Sequence, residues 1–132
     1  MALATYTDGG AFFKAEDYTK AVALLFLVND TDPSAPDPFN AGNTRLEVHA
    51  NLSVFWNNSD LDGDPEDKGE VSVTNGVLAK ELARYIGEEV AVTVGKPSGK
   101  KYWKFTPTDP SVTEKVAAYI ERRDAEDDLD NL

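Results

Sequence analysis

The regular alternation of apolar and polar side chains along Thr44–Trp56 constrains the fold more than any other feature of this sequence. A period of two residues is typical of a strand with one buried face. A slip of one residue would move every polar side chain into the core, so the register of this strand is well specified. Its apolar face carries Leu46, Val48, Ala50, Leu52 and Val54, and its other face carries Arg45, Glu47, His49, Asn51, Ser53 and Phe55.

Four other segments have the composition or the alternation of strands. They are the apolar run Ala21–Val28, Gly69–Thr74, Val90–Val94 and Lys101–Thr106. The segment Asn29–Asn43 contains three prolines, Pro33, Pro36 and Pro38. Because proline disrupts both helices and ladders, we predict a long loop over this segment.

Two segments have helical spacing instead. In Gly76–Ile86 the apolar residues are Leu78, Leu82, Tyr85 and Ile86, and Gly87 can end the helix. The second helix begins at the capping box Ser111–Glu114, with Asp109-Pro110 as a competing start. Its apolar stripe is Val112, Val116, Tyr119 and Ile120.

The predicted order of elements is three strands, a helix, two strands and a C-terminal helix. This is the order of the five-stranded OB-fold barrel, a mainly β fold. In that fold oligonucleotides bind the face of strands 2 and 3, between the loop after strand 1 and the loop joining strands 4 and 5. The alternative architecture is an open α+β sheet with helices on one face. We favour the barrel because Thr44–Trp56 is long enough to bend and serve both halves, and we expect one domain over residues 1–123.

The distribution of charge gives two opposing indications. The formal net charge is −11, and alone it argues against nucleic acid, because phosphate neutralisation drives that binding. Lys80–Lys104, however, holds six basic residues against three acidic ones. Such asymmetry predicts a local basic face beside acidic segments.

The basic turn between the last two strands is the first candidate nucleic-acid site. Its lysines could follow a phosphate backbone, and Tyr102 could stack on a base, whereas we expect its neighbour Trp103 to lie in the core. The alternative is a hairpin tip kept soluble by lysine. The four lysines are Lys96, Lys100, Lys101 and Lys104.

The outward face of the Thr44–Trp56 strand is the second candidate. An exposed Phe55 beside polar donors suits base stacking, and the other residues of this face are Arg45, His49 and Asn51. The alternative is an ordinary solvent face. A bulge before Trp56 would turn Phe55 inward.

The sequence contains no pattern that indicates an enzyme, a metal or a cofactor. His49 is the only histidine, and the absence of cysteine excludes disulfides and thiolate zinc sites. Asn58–Gly63 approximates the start of a calcium loop, but the twelfth position is Gly69 and Glu70 comes one residue late. We therefore predict an acidic turn there, with no catalytic residue and no metal ligand.

We expect a cytoplasmic protein with no membrane partner. The N-terminus lacks the basic and apolar regions of a signal peptide. Ala21–Val28 is apolar but too short to span a bilayer. The sequence leaves open whether the chain is a monomer or a small homo-oligomer.

The run GEVSVTNGVLAKELARYIGEEVAVTVGKPSGKKYWKF and the C-terminal helix resemble the small OB-fold single-stranded DNA-binding proteins of bacteriophages. The shared features are a helix that ends in Ile-Gly, a basic turn, an aromatic strand and an acidic C-terminus, over about the second half of the chain. The resemblance implies sequence-nonspecific binding of single-stranded DNA in phage replication or recombination, within the host cytoplasm. A structural or protein-binding adaptor barrel is the alternative, and a DNA-mimic inhibitor ranks last.

The C-terminal segment Asp124–Leu132 holds five acids and no base, so we predict that it is disordered. Its acidic and then apolar ending is similar to that of single-stranded DNA-binding proteins that recruit replication enzymes. We therefore predict that this tail competes with DNA for the lysine turn and binds replication or recombination proteins. The predicted contact residues are Asp127, Asp128, Asp130 and Leu132.

Overall fold

A computed structural model describes residues 11–37, 41–74 and 76–130, with the backbone alone for residues 11 and 127–130. Its strands are β1 (Ala11–Phe12), β2 (Ala23–Pro36), β3 (Thr44–Phe55), β4 (Glu66–Val73), β5 (Glu89–Gly95) and β6 (Lys104–Pro107). Its helices are α1 (Asn58–Asp62), α2 (Gly76–Leu82) and α3 (Pro110–Asp130), and 3-10 turns lie at Ala15–Tyr18 and Ala83–Tyr85.

The strands form one sheet in the order β1-β4-β3-β2-β5-β6. The pairs from β4 to β6 are antiparallel, and the short β1 joins β4 in parallel. The prediction of a mainly β chain with five antiparallel strands, a helix before the fourth of them and a C-terminal helix is confirmed. The hydrogen-bonded ladder is not closed, because within the described ranges no pairing joins β6 to β1 or β4.

The prediction of a loop throughout Asn29–Asn43 is wrong, because β2 continues to Pro36 and pairs there with Thr44. Pro33 lies within a register shift between Asp32 and Ala35, where the ladder does not need its missing N–H. Backbone hydrogen bonds on this side of β2 end at Val28, so among the described residues the later part of β2 has one unpaired edge, on which proline is tolerated. Pro38 lies outside the described residues.

The larger core lies on the inner face of the sheet. The alternation predicted for β3 places Val48, Ala50, Leu52 and Val54 there, all fully buried. Helix α2 covers this face with Leu78, Ala79 and Leu82. The remaining members include residues of β2, β4, β5 and β6, with Phe13, Phe26 and Phe105 as the aromatic part.

A second, smaller core lies on the outer face, under α3. It contains Ala23, Leu25, Phe55, Leu61 and Val116. Phe55 is fully buried, and its ring packs edge-on against Tyr119 with centroids 5.4 Å apart. The prediction that Phe55 is exposed for base stacking is therefore wrong, because α3 lies over the end of β3 and covers it.

Helix α3 crosses the predicted boundary between domain and tail. It begins at Pro110, the competing start, and continues to Asp130. The prediction that residues 124–132 are disordered is therefore wrong for 124–130. Adding a residue to an existing helix fixes only that residue and gains one hydrogen bond, and Ala125, Glu126 and Leu129 have suitable propensities. None of the helices within the described residues combines the length and apolar character needed to cross a bilayer.

Candidate nucleic-acid interface

The connection between β5 and β6 positions the predicted basic turn. The two strands are antiparallel up to the pair Gly95 and Lys104, so residues 96–103 form the loop. Within it, the backbone N–H of Lys100 donates to the carbonyl of Pro97 at 2.9 Å. Gly99 has a φ of +74°, a conformation that favours glycine at this corner. The second strand therefore begins at Lys104, three residues later than Lys101, where we predicted it.

The loop exposes its positive charge without neutralising it. All four lysines are exposed, and among the described residues none of them forms an ion pair. Tyr102 is 44% exposed. Trp103 is half-buried against the larger core, and Lys96 Nζ lies 4.8 Å from its ring centroid, a cation–π contact. The loop thus brings together the basic and aromatic residues that the sequence singled out there. We call residues 96–104, that is the loop and the first residue of β6, the lysine loop.

The outward face of β3 is acidic around His49. The Nδ1 atom of His49 is hydrogen-bonded to the carboxylate of Asp30, and Nε2 lies 3.8 Å from Glu47 Oε1. The Asp30 hydrogen bond raises the pKa of His49 against the opposing effect of burial, and the charges of Asp30, Glu47 and Glu70 add to it. A histidine surrounded by three carboxylates is poorly placed to receive a phosphate.

Asn51 lies in a groove between the outer face of the sheet and the second half of α3. The groove has a volume of about 470 Å³, and among the described residues three carboxylates line it, from Asp67, Glu89 and Asp124. Arg123, which also lines this groove, donates to both oxygens of Glu89, at 2.9 and 2.5 Å. That ion pair raises the pKa of the Arg123 guanidinium and neutralises its charge. The groove therefore repels phosphate.

Arg45, the remaining residue predicted on β3, lies beside an aromatic ring that the sequence analysis missed. Phe12 is 55% exposed, and its ring centroid lies 5.8 Å from Arg45 Cζ. Phe13, the next residue, is buried in the larger core. Alternation along an extended segment explains this division of the Phe12-Phe13 pair, but two residues are too few for a periodic signal.

A second group that the sequence analysis misassigned follows α2. The helical stripe placed Tyr85 and Ile86 in the core, but they are 38% and 52% exposed. The chain passes into a 3-10 turn at Ala83–Tyr85, which changes the direction of these side chains. Arg84 in the same turn is exposed.

The acidic segment after β3 has a structural role. Asn58–Asp62 forms the short helix α1, and the side chain of Asn57 accepts from the N–H of Asp60 at 3.0 Å. The Asp60 carboxylate accepts from the backbone N–H of Trp56 at 2.8 Å. Within the described ranges, no three His, Cys, Asp or Glu side chains are grouped to hold a metal ion.

The predicted protein-binding residues lie at or beyond the end of α3. Asp127, Asp128 and Asp130 belong to its last turns, where the structure describes the backbone alone. Leu132 lies outside the described residues.

Comparisons with known proteins identify no relative of this chain. No protein-family model matches this sequence, and no curated protein and no solved structure matches it.

Proposed function

We propose that this chain is a single-stranded DNA-binding protein built on an OB-fold barrel, and that it acts by binding rather than by catalysis. The observation that carries the proposal is the lysine loop, with four exposed lysines that form no ion pair with any described residue, next to Tyr102 and Trp103. The loop is the connection that contributes to oligonucleotide binding in OB folds.

The topology supports the OB-fold part of the proposal. The order β4-β3-β2-β5-β6 places the first long strand, β2, between the second and the fourth, as in the Greek key on which the OB-fold is built. The helix α2 between the third and fourth long strands is also in the OB-fold position. Contact between rings of the two sheet edges, Phe13 and Phe105, favours a sheet that curls toward closure.

The proposed chemistry is electrostatic attachment with stacking. Lysines of the loop neutralise phosphates and release counterions, which makes the affinity fall as salt rises. Tyr102 offers a face on which a base can stack, worth about 1–3 kcal/mol per base in such sites. Every base has a stacking face, so we expect little sequence preference. The acidic end of α3 is then available to replication or recombination proteins in the cytoplasm of a phage-infected host.

Fluorescence anisotropy with a labelled oligo-dT, measured from low to high salt, tests the proposal. The variant K100Q/K101Q should bind more weakly, and each lost phosphate contact should reduce the slope of log K against log salt by ~0.7. The matched control K68Q/K115Q removes the same charge from two lysines that pair with Glu66 and Asp62, and it should bind as the wild type does. Absence of wild-type binding at low salt, or equal behaviour of the two variants, would overturn the proposal. Tighter binding of oligo-rU than of oligo-dT would reassign the ligand to RNA.

A protein-binding adaptor is the second candidate, and exposed apolar side chains favour it. Tyr85 and Ile86 are exposed, and Tyr85 lines a cleft with residues of β6, a strand with one unpaired edge among the described residues. Strand edges and exposed apolar groups are common protein-binding features. An adaptor would show no affinity for oligo-dT at low salt and would form a defined homo-oligomer or complex on size-exclusion chromatography.

A further inference from the structure

We propose that bound single-stranded DNA runs from the lysine loop along β6 into a cleft beside α2, where Arg84 and Tyr85 bind it. This inference rests on the proposed function and assigns a path to the strand. It differs from the usual OB-fold path, which crosses the face of the second and third strands. The shape and the positive charge of the β6 edge favour this path, and helix α3 and several carboxylates occupy the usual face.

Two adjoining depressions form the path. The first, of about 370 Å³, is lined by Gly95 at the end of β5 and by Lys96, Pro97 and Lys104 of the lysine loop, together with Phe105, Thr106 and Pro107. The second, of about 270 Å³, lies between the end of α2 and strands β5 and β6. The same three residues, Phe105, Thr106 and Pro107, line both. The lysine loop and the cleft beside α2 are therefore neighbours along one strand.

The far end of this path repeats the chemistry of the lysine loop. Arg84 lines the cleft, is exposed and forms no ion pair with any described residue. Tyr85 next to it is 38% exposed. A cation for a phosphate and an aromatic face for a base are thus present at both ends of the path. One carboxylate, Glu81, also lines the cleft, so the attraction there is weaker than at the loop.

The usual face is closed to a polyanion by two features of this chain. Helix α3 packs over the start of β2 and the end of β3, where Val116 and Tyr119 cover Leu25 and Phe55. The uncovered part of that face presents Asp30 and Glu47 around His49, and Glu70 pairs with Asn51 across the ladder. Burial and negative charge disfavour a polyanion there, and Arg45, the cation predicted on that face, is half-buried. On the described part of the β6 edge, by contrast, exposed cations without ion pairs adjoin exposed aromatic rings.

A length series of oligo-dT with a cleft variant tests the path. The variant R84Q/Y85L keeps similar side-chain bulk but removes the charge and the aromatic ring. For an oligonucleotide long enough to extend beyond the lysine loop, such as dT12, we expect the variant to bind at least fivefold more weakly than the wild type. This factor corresponds to the smallest loss expected from removing one base-stacking contact. For the shortest oligonucleotide that the wild type binds, which the loop alone can hold, we expect no difference.

The control is R122Q, which removes the same charge from α3. Arg122 lies near a tyrosine, with Cζ 6.0 Å from the Tyr119 centroid, and the variant should bind every length as the wild type does. A further variant, E81Q, should bind dT12 more tightly than the wild type, since it removes a carboxylate that lines the cleft.

The outcomes separate this inference from the proposed function. If the wild type binds no oligo-dT at low salt, both fail. If the wild type binds, K100Q/K101Q binds weakly and R84Q/Y85L matches the wild type at every length, the path is wrong and the function stands. An equal loss at all lengths also overturns the path.

Photo-crosslinking of bromodeoxyuridine-substituted dT12 provides a readout that does not depend on variants. The crosslinked peptide should contain Tyr85, and crosslinks confined to β3 would contradict the path.

Discussion

The rings of Phe13 and Phe105 lie with centroids 6.1 Å apart, although they come from opposite edges of the sheet. Phe13 directly follows β1, and its N–H donates to the carbonyl of Ser72 in β4. Phe105 belongs to β6. Phe26 of the central strand β2 meets both rings edge-on, each at 5.4 Å. Side chains therefore join the two edges inside the molecule, whereas no backbone pairing among residues 11–37, 41–74 and 76–130 does so.

This ring cluster should be energetically coupled. We expect the variants Phe13→Leu and Phe105→Leu each to lower the free energy of unfolding, and their combined effect to fall short of the sum by ~0.5–1.5 kcal/mol. Urea denaturation of the two single variants and the double variant measures this coupling. Phe13→Leu combined with Val116→Ala, in the second core, is the control and should be additive within ~0.5 kcal/mol. Additivity of the phenylalanine pair would contradict the contact.

Phe55→Ala should affect stability rather than DNA binding. Phe55 is fully buried under α3, and truncation of a buried phenylalanine costs about 3–5 kcal/mol. Thermal denaturation followed by circular dichroism should show a large fall in melting temperature. Below that temperature the affinity for oligo-dT should equal that of the wild type. An unchanged melting temperature with weakened binding would place the ring on the DNA-binding surface instead.

His49 should titrate above its ordinary pKa of about 6.5, because its hydrogen bond to Asp30 stabilises the protonated ring. As the only histidine of the chain, it gives one assignable NMR titration. The variant D30N should lower the pKa, while S34A, which leaves the Asp30 carboxylate in place, should not. A pKa at or below 6.5 in the wild type would contradict the contact.

The same shift makes a small part of the stability depend on pH. A pKa raised in the folded state stabilises the fold fully below the unfolded-state pKa, and this contribution is lost as pH rises through the folded-state value. The difference in unfolding free energy between wild type and H49Q should therefore be largest below about pH 6.5 and should disappear above the raised pKa. We expect less than ~1 kcal/mol, because the carboxylate of Asp30 is largely exposed.

Deleting residues 124–132 tests whether the acidic end competes with DNA. The ion pair between Arg123 and Glu89 keeps the neighbouring Asp124 near the start of β5. Lys96 follows the last residue of that strand, so at ~3.3 Å per residue it lies roughly 20 Å from Glu89. At 0.15 M salt the Debye length is ~8 Å, so we expect no change in affinity for oligo-dT. At 0.01 M salt it is ~30 Å, and we expect the truncated chain to bind more tightly. Tightening at 0.15 M would mean that the acidic segment leaves the helical position and reaches the lysine loop.

The sequence by itself determined the features that depend on local periodicity and charge. The alternation from Leu46 to Val54 specified both the strand and its buried face, because pleating alternates neighbouring side chains between the faces. The lysines of the lysine loop are exposed as predicted, and Trp103 packs against the larger core, where we expected it. Asp109-Pro110 was recognisable as a start for α3, because proline is compatible with the first turn of a helix.

The tertiary structure decided the features that depend on which distant segment covers a surface. Phe55 reads as solvent-facing in the alternation of β3, and only the packing of α3, more than fifty residues later, buries it. His49 acquires its acidic partner from Asp30, 19 residues away across the ladder. The proline-containing half of β2 forms a strand because no strand in the described part of the chain pairs with one of its edges. Periodicity records which face of a segment is apolar, but burial and electrostatic environment arise between segments, and those contacts exist only once the chain is folded.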